Sequence, residues 1–164
     1  MRIVTLDAPG GSILRKRARP VGRVTKDGVR LMDEMVQVMR RAPGVGLAAP
    51  QVGRSVRVIV VEYNGTLYQL ADPEITQQAG SELGQEGCLS LPGILCDVCR
   101  ATHVVVRGKN RRGRTVTVRA EGWLARIFQH EIDHLDGVLI TDRVDSPDQI
   151  HYVEREHRVG EVVG

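Results

Sequence analysis

Aromatic residues and long apolar runs are both scarce in this sequence. Aromatics make up 3% of the 164 residues, with one Trp and one Phe, so the core must be built from Val, Leu, Ile and Met. No segment approaches the roughly 18 apolar residues that a membrane span needs. The opening segment contains Asp7, Pro9 and two glycines where a secretory signal needs an unbroken apolar stretch. We therefore expect a cytoplasmic protein with no membrane partner.

Cysteine is also too sparse for a disulfide framework. Cys88, Cys96 and Cys99 are an odd number, which is typical of free thiols in a reducing compartment. Cys96 and Cys99 form a CxxC motif, but a structural zinc site would need a second pair, which is missing. If this segment is extended, the two side chains point to opposite faces of the strand. We interpret both as ordinary free thiols.

The composition is that of a soluble globular protein. Hydrophobic residues make up 41% and charged residues 26%, and the length suits one domain, predicted to span residues 1–164. The net charge of +3 is only weak support for work near nucleic acid. We expect no specific binding to DNA.

Three segments carry helix signals. Apolar residues at intervals of three and four predict an amphipathic helix over 27–42, ended by Pro43, and a second helix over 122–135. Ser146, followed by Pro and then by Gln three residues after the cap, predicts a short C-terminal helix that runs to about residue 158.

Strand patterns lie between the first two helices. An Asn-Gly pair between 56–62 and 66–70 predicts one β-hairpin, and 103–108 with 115–120 predicts another, with a basic tip. A polar, glycine-rich stretch, 77–87, separates them.

The second helix contains the sequence HEIDH. His130 and His134 are four residues apart, so they lie on one helix face and can bind one metal ion. Glu131 lies to the side, where it can reach a water molecule on such an ion. A third ligand must come from elsewhere.

The third ligand bears on the type of reaction. A metalloprotease would be expected to use a His or an acidic residue shortly downstream, but only aspartates follow before the terminal segment. Cys88 offers a thiolate, a strong ligand for Zn²⁺ and other transition ions. From the residues alone, a small buried hydrophobic role for Cys88 stays open.

Three motifs occur in order along the chain: GVGLAAPQ at 44–51, EGCLS at 86–90 and QHEIDH at 129–134. Together they resemble the peptide deformylase family, metal-dependent amidases that remove the formyl group from newly made proteins. The opening ILRKRARPV and the closing HLDGVLITDRV are similar to that family too, so the resemblance spans nearly the whole chain.

The resemblance implies a role for each motif. Cys88, His130 and His134 would hold one divalent metal ion, with Fe²⁺ as the physiological ion and Zn²⁺, Ni²⁺ or Co²⁺ as alternatives in purified protein. Sequence chemistry alone suggests Zn²⁺. Glu131 would be the acid/base residue, while Gln51 and the backbone N–H of Leu89 would stabilise the oxyanion.

The resemblance also implies a fold and a substrate. The fold would be α+β, with antiparallel strands packed around a central HExxH-bearing helix. The sequence patterns add an N-terminal amphipathic helix and a short C-terminal helix. The substrate would be an N-formylmethionyl peptide. The basic hairpin tip, rather than the resemblance, adds the expectation of a transient association with the ribosome.

Substrate contacts are predicted too. Glycines allow a chain path close to a ligand, so backbone groups of Val45, Gly46 and Gly87 could pair with an extended peptide, although turn formation alone also explains these glycines. The resemblance implies a methionine pocket lined by four residues: Val45, Glu86, Trp123 and Ile127. Trp123 departs from the family pattern, which commonly has a smaller aliphatic residue there, so it could narrow the pocket or simply pack.

Other interpretations are kept open. One is a zinc endopeptidase, against which Cys88 argues. Another is a non-enzymatic, metal-stabilised domain that binds RNA through the basic hairpin tip, whose charged residues are Lys109, Arg111, Arg112 and Arg114. Asp133 or Asp136, either paired with Arg100, could support the histidines or could be surface charges.

Overall fold

The structure is a computed structural model that describes residues 1–153. Its regular elements give an α+β fold with antiparallel sheets. The helices are α1 (Lys26–Arg41) and α2 (Gly122–Leu135). The strands are β1 (Gly46–Ala48), β2 (Val58–Tyr63), β3 (Thr66–Ala79), β4 (Glu82–Gly87), β5 (Ile94–Arg100), β6 (His103–Lys109), β7 (Thr115–Glu121) and β8 (Ile150–Tyr152).

Helix α1 begins and ends where local chemistry requires. The Thr25 side chain accepts a hydrogen bond from the Gly28 N–H, Asp27 lies in the first turn and two arginines lie in the last, all of which suit the helix dipole. The helix buries one face, and Pro43 follows it. The predicted helix over 27–42 is confirmed to within one residue at each end.

A five-stranded antiparallel sheet, in the order β1-β2-β3-β6-β7, forms the larger layer. The predicted hairpins are its β2–β3 and β6–β7 pairs. Tyr63 pairs with Thr66 across Asn64 and Gly65, both of which have positive φ, as a two-residue hairpin turn requires. Val58 and Val60 pack with α1 on one face, whereas Ile59 and Val61 pack with α2 on the other. Burial on both faces explains why β2 is a continuous apolar run.

A second antiparallel sheet, β4-β5-β8, consists of strands that the sequence pattern did not predict, apart from the conditional extension of the CxxC segment. The polar stretch 77–87 forms the end of β3 and all of β4. Strand β4 is exposed at Glu82 and becomes buried at Glu86 and Gly87, so it shows no regular alternation along its length.

The predicted C-terminal helix is wrong within the described residues. Ser146 does cap a turn, since its side chain accepts a hydrogen bond from the Asp148 N–H, but that turn is a single 3-10 turn, Pro147–Gln149. The chain then extends as β8, which pairs with Ile94–Cys96 of β5. Pairing with an existing strand edge outweighs the helix start signal. The rest of the predicted helix lies outside the described residues.

Helix α2 lies in the interior. Every residue from Ala125 to Leu135 is buried, and the Phe128 ring packs edge-on against Tyr68 with centroids 5.3 Å apart. Truncating a buried Phe to Ala typically costs about 3 to 5 kcal/mol, so this packing holds α2 firmly. Within residues 1–153, neither helix combines the length and apolar character of a membrane span.

Candidate metal centre

Two separate elements supply the side chains of the candidate metal site. Cys88 follows directly after β4, while His130 and His134 lie on consecutive turns of α2. The ligand atoms of all three lie within 4.8 Å of one another, and all three residues are buried. The Cys88 Sγ is 3.4 Å from His134 Nε2. The structure thus brings together the three residues that the resemblance named as ligands.

The environment of Cys88 favours the thiolate. Burial opposes ionisation, but the charge of His134 and hydrogen bonds with both histidines outweigh it and lower the pKa of the Cys88 thiol to about 6. A thiol must lose its proton to bind a metal ion, so this setting suits a ligand rather than an inert core residue.

His130 is oriented by a carboxylate behind it. Its Nδ1 lies 2.9 Å from Glu86 Oε1, and donation of that N–H leaves Nε2 to bind a metal ion. Glu86 is fully buried. Although burial raises the pKa of the Glu86 carboxyl, hydrogen bonds from His130 and Arg100 outweigh it and hold that pKa well below its usual range.

The same contacts bear on the predicted substrate role of Glu86. Both of its oxygens accept hydrogen bonds from arginine: Oε1 from Arg100, and Oε2 from Arg100 and Arg126. The carboxylate therefore faces the histidine and two guanidinium groups. The carboxylate is thus occupied by these partners. A contact between Glu86 and the substrate stays a prediction, and only the CH₂ groups of the side chain remain for it.

Glu131 is fully buried, and neither of its carboxylate oxygens has a hydrogen-bond partner among the described residues. Burial raises the pKa of this carboxyl to about 7. An acid with a pKa near the working pH is suited to proton transfer. Gly46 lies directly against it, because a Cβ added there would be 2.9 Å from Glu131 Cδ and closer still to Oε2.

Gln51 lies in the 3-10 turn Ala49–Val52 with its amide fixed in one orientation. Its Oε1 accepts the Ala48 N–H at 3.0 Å, which directs Nε2 towards Ser90 Oγ at 3.1 Å and Cys88 Sγ at 3.8 Å. A turn-capping role and a donor role are thus combined in one side chain. Leu89, whose N–H is the second predicted donor, follows Cys88 in the turn after β4.

The predicted peptide-binding backbone lies at a sheet edge. Strand β1 is the outermost strand of the larger sheet, and Gly46 pairs with Val61. The Val45 carbonyl, predicted to be available to a peptide, instead accepts a hydrogen bond from the Glu62 N–H at 2.9 Å. Since neighbouring peptide groups alternate in direction, those of Gly46 face away from β2. Gly87 ends β4, an edge strand of the smaller sheet.

The structure brings three of the predicted pocket residues into one apolar cluster. Ile127 is fully buried there, and Val45 and Trp123 are half-buried against the same cluster. The Arg126 guanidinium carbon lies 5.9 Å from the Trp123 ring centroid, within the range of a cation–π contact. Trp123 therefore packs on an arginine that also binds Glu86.

Sequence reasoning missed Arg126 and Ser90 and left the partner of Arg100 open. Arg100 binds Asp133 at 2.6 Å, whereas Asp136 binds Arg57 at 3.0 Å. The only sequence signal for Arg126 is a charged residue within the otherwise apolar stretch 123–128 of the helix. For the CxxC motif the prediction is confirmed: Cys96 is buried, Cys99 is exposed and both are free thiols.

The donor set suits a transition metal ion. One thiolate and two imidazoles are ligands that Zn²⁺ and Fe²⁺ both accept, and three protein ligands are the number typical of a catalytic rather than a structural site. The buried carboxylate of Glu131, which has no hydrogen-bond partner within residues 1–153, is suited to accept a proton from a water activated by such an ion.

Comparisons with known proteins agree on one family. A family model described as "Polypeptide deformylase" matches residues 1–150. The peptide deformylase of Halothermothrix orenii is 49% identical over 146 residues, which are 88% of this chain and 95% of that protein. The crystal structure of the peptide deformylase from Thermotoga maritima is similar with a TM-score of 0.83 and 40% identity, over 88% of this chain and 97% of the other.

A further solved structure contains an inhibitor. It is a peptide deformylase from Synechococcus elongatus in complex with actinonin, and it is similar with a TM-score of 0.85 and 39% identity, over 91% of this chain and 81% of the other.

Proposed function

The chain belongs to the polypeptide deformylase family, and we propose that Cys88, His130, His134 and Glu131 form its catalytic centre. The protein is a metal-dependent hydrolase that removes the N-terminal formyl group from newly synthesised polypeptides. The released product is formate. The observation that carries the assignment of the centre is the convergence of three buried ligand atoms within 4.8 Å of one another.

Glu131 transfers the proton. Cys88, His130 and His134 would hold a divalent ion, which would supply a water molecule of lowered pKa as the attacking group. Glu131 accepts the proton from the attacking water and then gives it to the departing amine. Its burial, with no hydrogen-bond partner in the part of the chain that the structure describes, and its pKa of about 7 support both roles.

Two donors stabilise the charge that develops on the formyl oxygen. Gln51 Nε2 is one, because its orientation is fixed before the substrate arrives, and the Leu89 N–H is the other. Losing one such donor typically costs about 2.7 to 4 kcal/mol of transition-state stabilisation.

The peptide is held as an added strand. Gly46, at the open edge of β1, presents its peptide groups to an extended substrate, and Gly87 does so from the edge of β4. Val45, Ile127 and Trp123, with the stem of Glu86, form the slot for the methionine side chain. This arrangement brings the formyl group next to Glu131, since Gly46 lies directly against that side chain.

The identity of the ion, the extent of the catalytic domain and the cellular location are further proposals. We propose Fe²⁺ as the physiological ion, with Zn²⁺, Ni²⁺ or Co²⁺ as substitutes in purified protein. Residues 1–164 are proposed to act as one catalytic domain, with α2 as the central helix, a position that its burial supports. A cytoplasmic location is consistent with a substrate that is a newly made polypeptide and with a ligand thiol that must stay reduced.

Transient ribosome association stays a proposal too. The tip of the β6–β7 hairpin is basic, but Arg111 is bound by Asp33 through two hydrogen bonds, at 2.9 and 2.6 Å. Arg112 and Arg114 are the exposed cations that remain for electrostatic attraction. Binding that does not weaken as salt rises would argue against this interaction.

A formate-release assay tests the function directly. Anaerobically purified protein is incubated with a formyl-Met peptide and with the same peptide lacking the formyl group, and both formate and new peptide termini are measured. The proposal predicts formate release from the first peptide and no internal cleavage of either. Internal cleavage without formate would instead support the endopeptidase interpretation.

A further inference from the structure

A cluster of buried charges lies behind the metal ligands. It contains two carboxylates, Glu86 and Asp133, and two arginines, Arg100 and Arg126, all largely inaccessible to solvent. Arg143, which is more exposed, binds Asp133 from the outer side at 2.7 Å. Buried ion pairs are weak support for stability, because desolvation offsets much of the attraction. Stability alone therefore does not account for this cluster.

Arg100 occupies the middle of the cluster. Its Nε and Nη2 donate to the two oxygens of Glu86 at 2.9 and 3.0 Å, and its Nη1 donates to Asp133 Oδ2 at 2.6 Å. Among the hydrogen bonds of residues 1–153, no other side chain joins these two carboxylates. A guanidinium has the rigid fork that this three-bond geometry needs, whereas a lysine ammonium does not.

Each carboxylate adjoins a metal ligand. Glu86 lies two residues before Cys88 and accepts the Nδ1–H of His130, and Asp133 directly precedes His134 on α2. Arg100 thus connects the strand that directly precedes the thiol with the helix that carries both imidazoles. A shift of Arg100 would change the tilt of the His130 ring and the distance from Cys88 to α2.

We propose that Arg100 is a positioning residue for the metal centre. It fixes the orientation of His130 through Glu86 and the placement of α2 through Asp133, so that the ligand set is formed before the ion binds. This inference rests on the proposed function, since it assumes that Cys88, His130 and His134 hold the ion.

The test compares Arg100→Lys with a matched control, Arg57→Lys. Arg57 is also largely buried and holds the end of the same helix, through the Leu135 carbonyl at 2.9 Å and Asp136 at 3.0 Å, but it contacts neither Glu86 nor Asp133. Each protein is loaded with Co²⁺. Four quantities are measured: the rate of ion loss to a chelator, the visible spectrum of the ion, kcat and KM separately, and the melting temperature of the ion-free protein.

Arg100→Lys is expected to lose the ion faster, by up to the roughly 10- to 100-fold that removal of a ligand's direct partner costs in metal affinity, because Arg100 acts on His130 through Glu86. Its Co²⁺ spectrum should change and its kcat should fall, while KM stays near the wild-type value. Arg57→Lys should match the wild type in ion loss, spectrum and kcat. Wild-type ion retention and spectrum in Arg100→Lys would overturn the proposal, as would equal changes in the control.

If Arg100→Lys does not fold, Asp133→Asn tests the other half of the bridge with almost unchanged shape. Faster ion loss is expected there, and retention like that of the wild type would count against the bridge. The wild-type sample separates a failure of the proposed function from a failure of the proposed role of Arg100. If it binds no Co²⁺ and releases no formate, the proposed function fails; if it does both and the variants behave identically, only the role of Arg100 fails.

Discussion

Replacing Gly46 by alanine is expected to reduce turnover about 100-fold without loss of the metal ion. A Cβ at this position would lie 2.9 Å from Glu131 Cδ and 3.0 Å from Cγ, well inside the ordinary contact distance of 3.4 Å or more. The carboxylate would have to move by about 0.5 Å at Cδ and further at its end. Misplacing a reacting group by about 1 Å can cost around 10²-fold, or roughly 2.7 kcal/mol in the barrier.

Stability should change little, since the group that must move is the end of a side chain and alanine restricts the unfolded chain slightly more than glycine. The assay is formate release from a formyl-Met peptide, with metal content and melting temperature measured on the same samples. Gly28→Ala is the control, because a Cβ there would meet only Val24 Cγ1, at 3.9 Å. The expected loss of turnover is about 10²-fold. If turnover of Gly46→Ala instead stays within about threefold of wild type, the placement of Glu131 against Gly46 is refuted.

Further predictions concern individual groups. Gln51→Glu keeps the acceptor for the Ala48 N–H but removes the amide donor, so kcat should fall about 10²- to 10³-fold; an unchanged kcat would remove Gln51 from the oxyanion site. Glu131→Gln should bind the metal ion but release no formate above background in a single-turnover assay, whereas active Glu131→Gln protein would exclude proton transfer by this residue. Trp123→Leu should alter the ratio of kcat/KM for formyl-Met and formyl-norleucine peptides, and an unaltered ratio would place Trp123 outside the pocket. Chelation should abolish turnover and added divalent ion should restore it, while activity that survives complete metal removal would contradict a metal-dependent reaction.

Local sequence signals predicted the elements whose boundaries are set locally. The predicted limits of α2 agree with Gly122–Leu135, because the apolar spacing that defines the helix also defines its buried faces. The Asn-Gly turn fixed the β2–β3 hairpin. Strand β4 was not predicted, since its polar residues are extended only through pairing with β5. The C-terminal helix failed for the same reason: pairing of Ile150–Tyr152 with β5 is a long-range interaction that a capping pattern does not reveal.

In the candidate site too, the sequence predicts some features, and others are revealed only by the structure. The i, i+4 spacing of His130 and His134 is enough to predict two ligands on one face. Cys88 is distant in sequence, so its convergence with them followed from a family resemblance rather than from spacing. The contacts of Glu86 with His130, Arg100 and Arg126 join three separate elements, and only tertiary structure reveals them.

The most direct test of the proposed centre is X-ray absorption spectroscopy at the metal edge of the zinc-loaded protein. The proposal predicts one sulfur ligand at about 2.3 Å, two imidazole nitrogens at about 2.0 to 2.1 Å and one further light ligand from solvent. The sulfur signal should persist in a Cys96→Ser, Cys99→Ser variant and vanish in Cys88→Ser. Absence of sulfur from the wild-type spectrum, or a third imidazole in its place, would contradict the proposed ligand set.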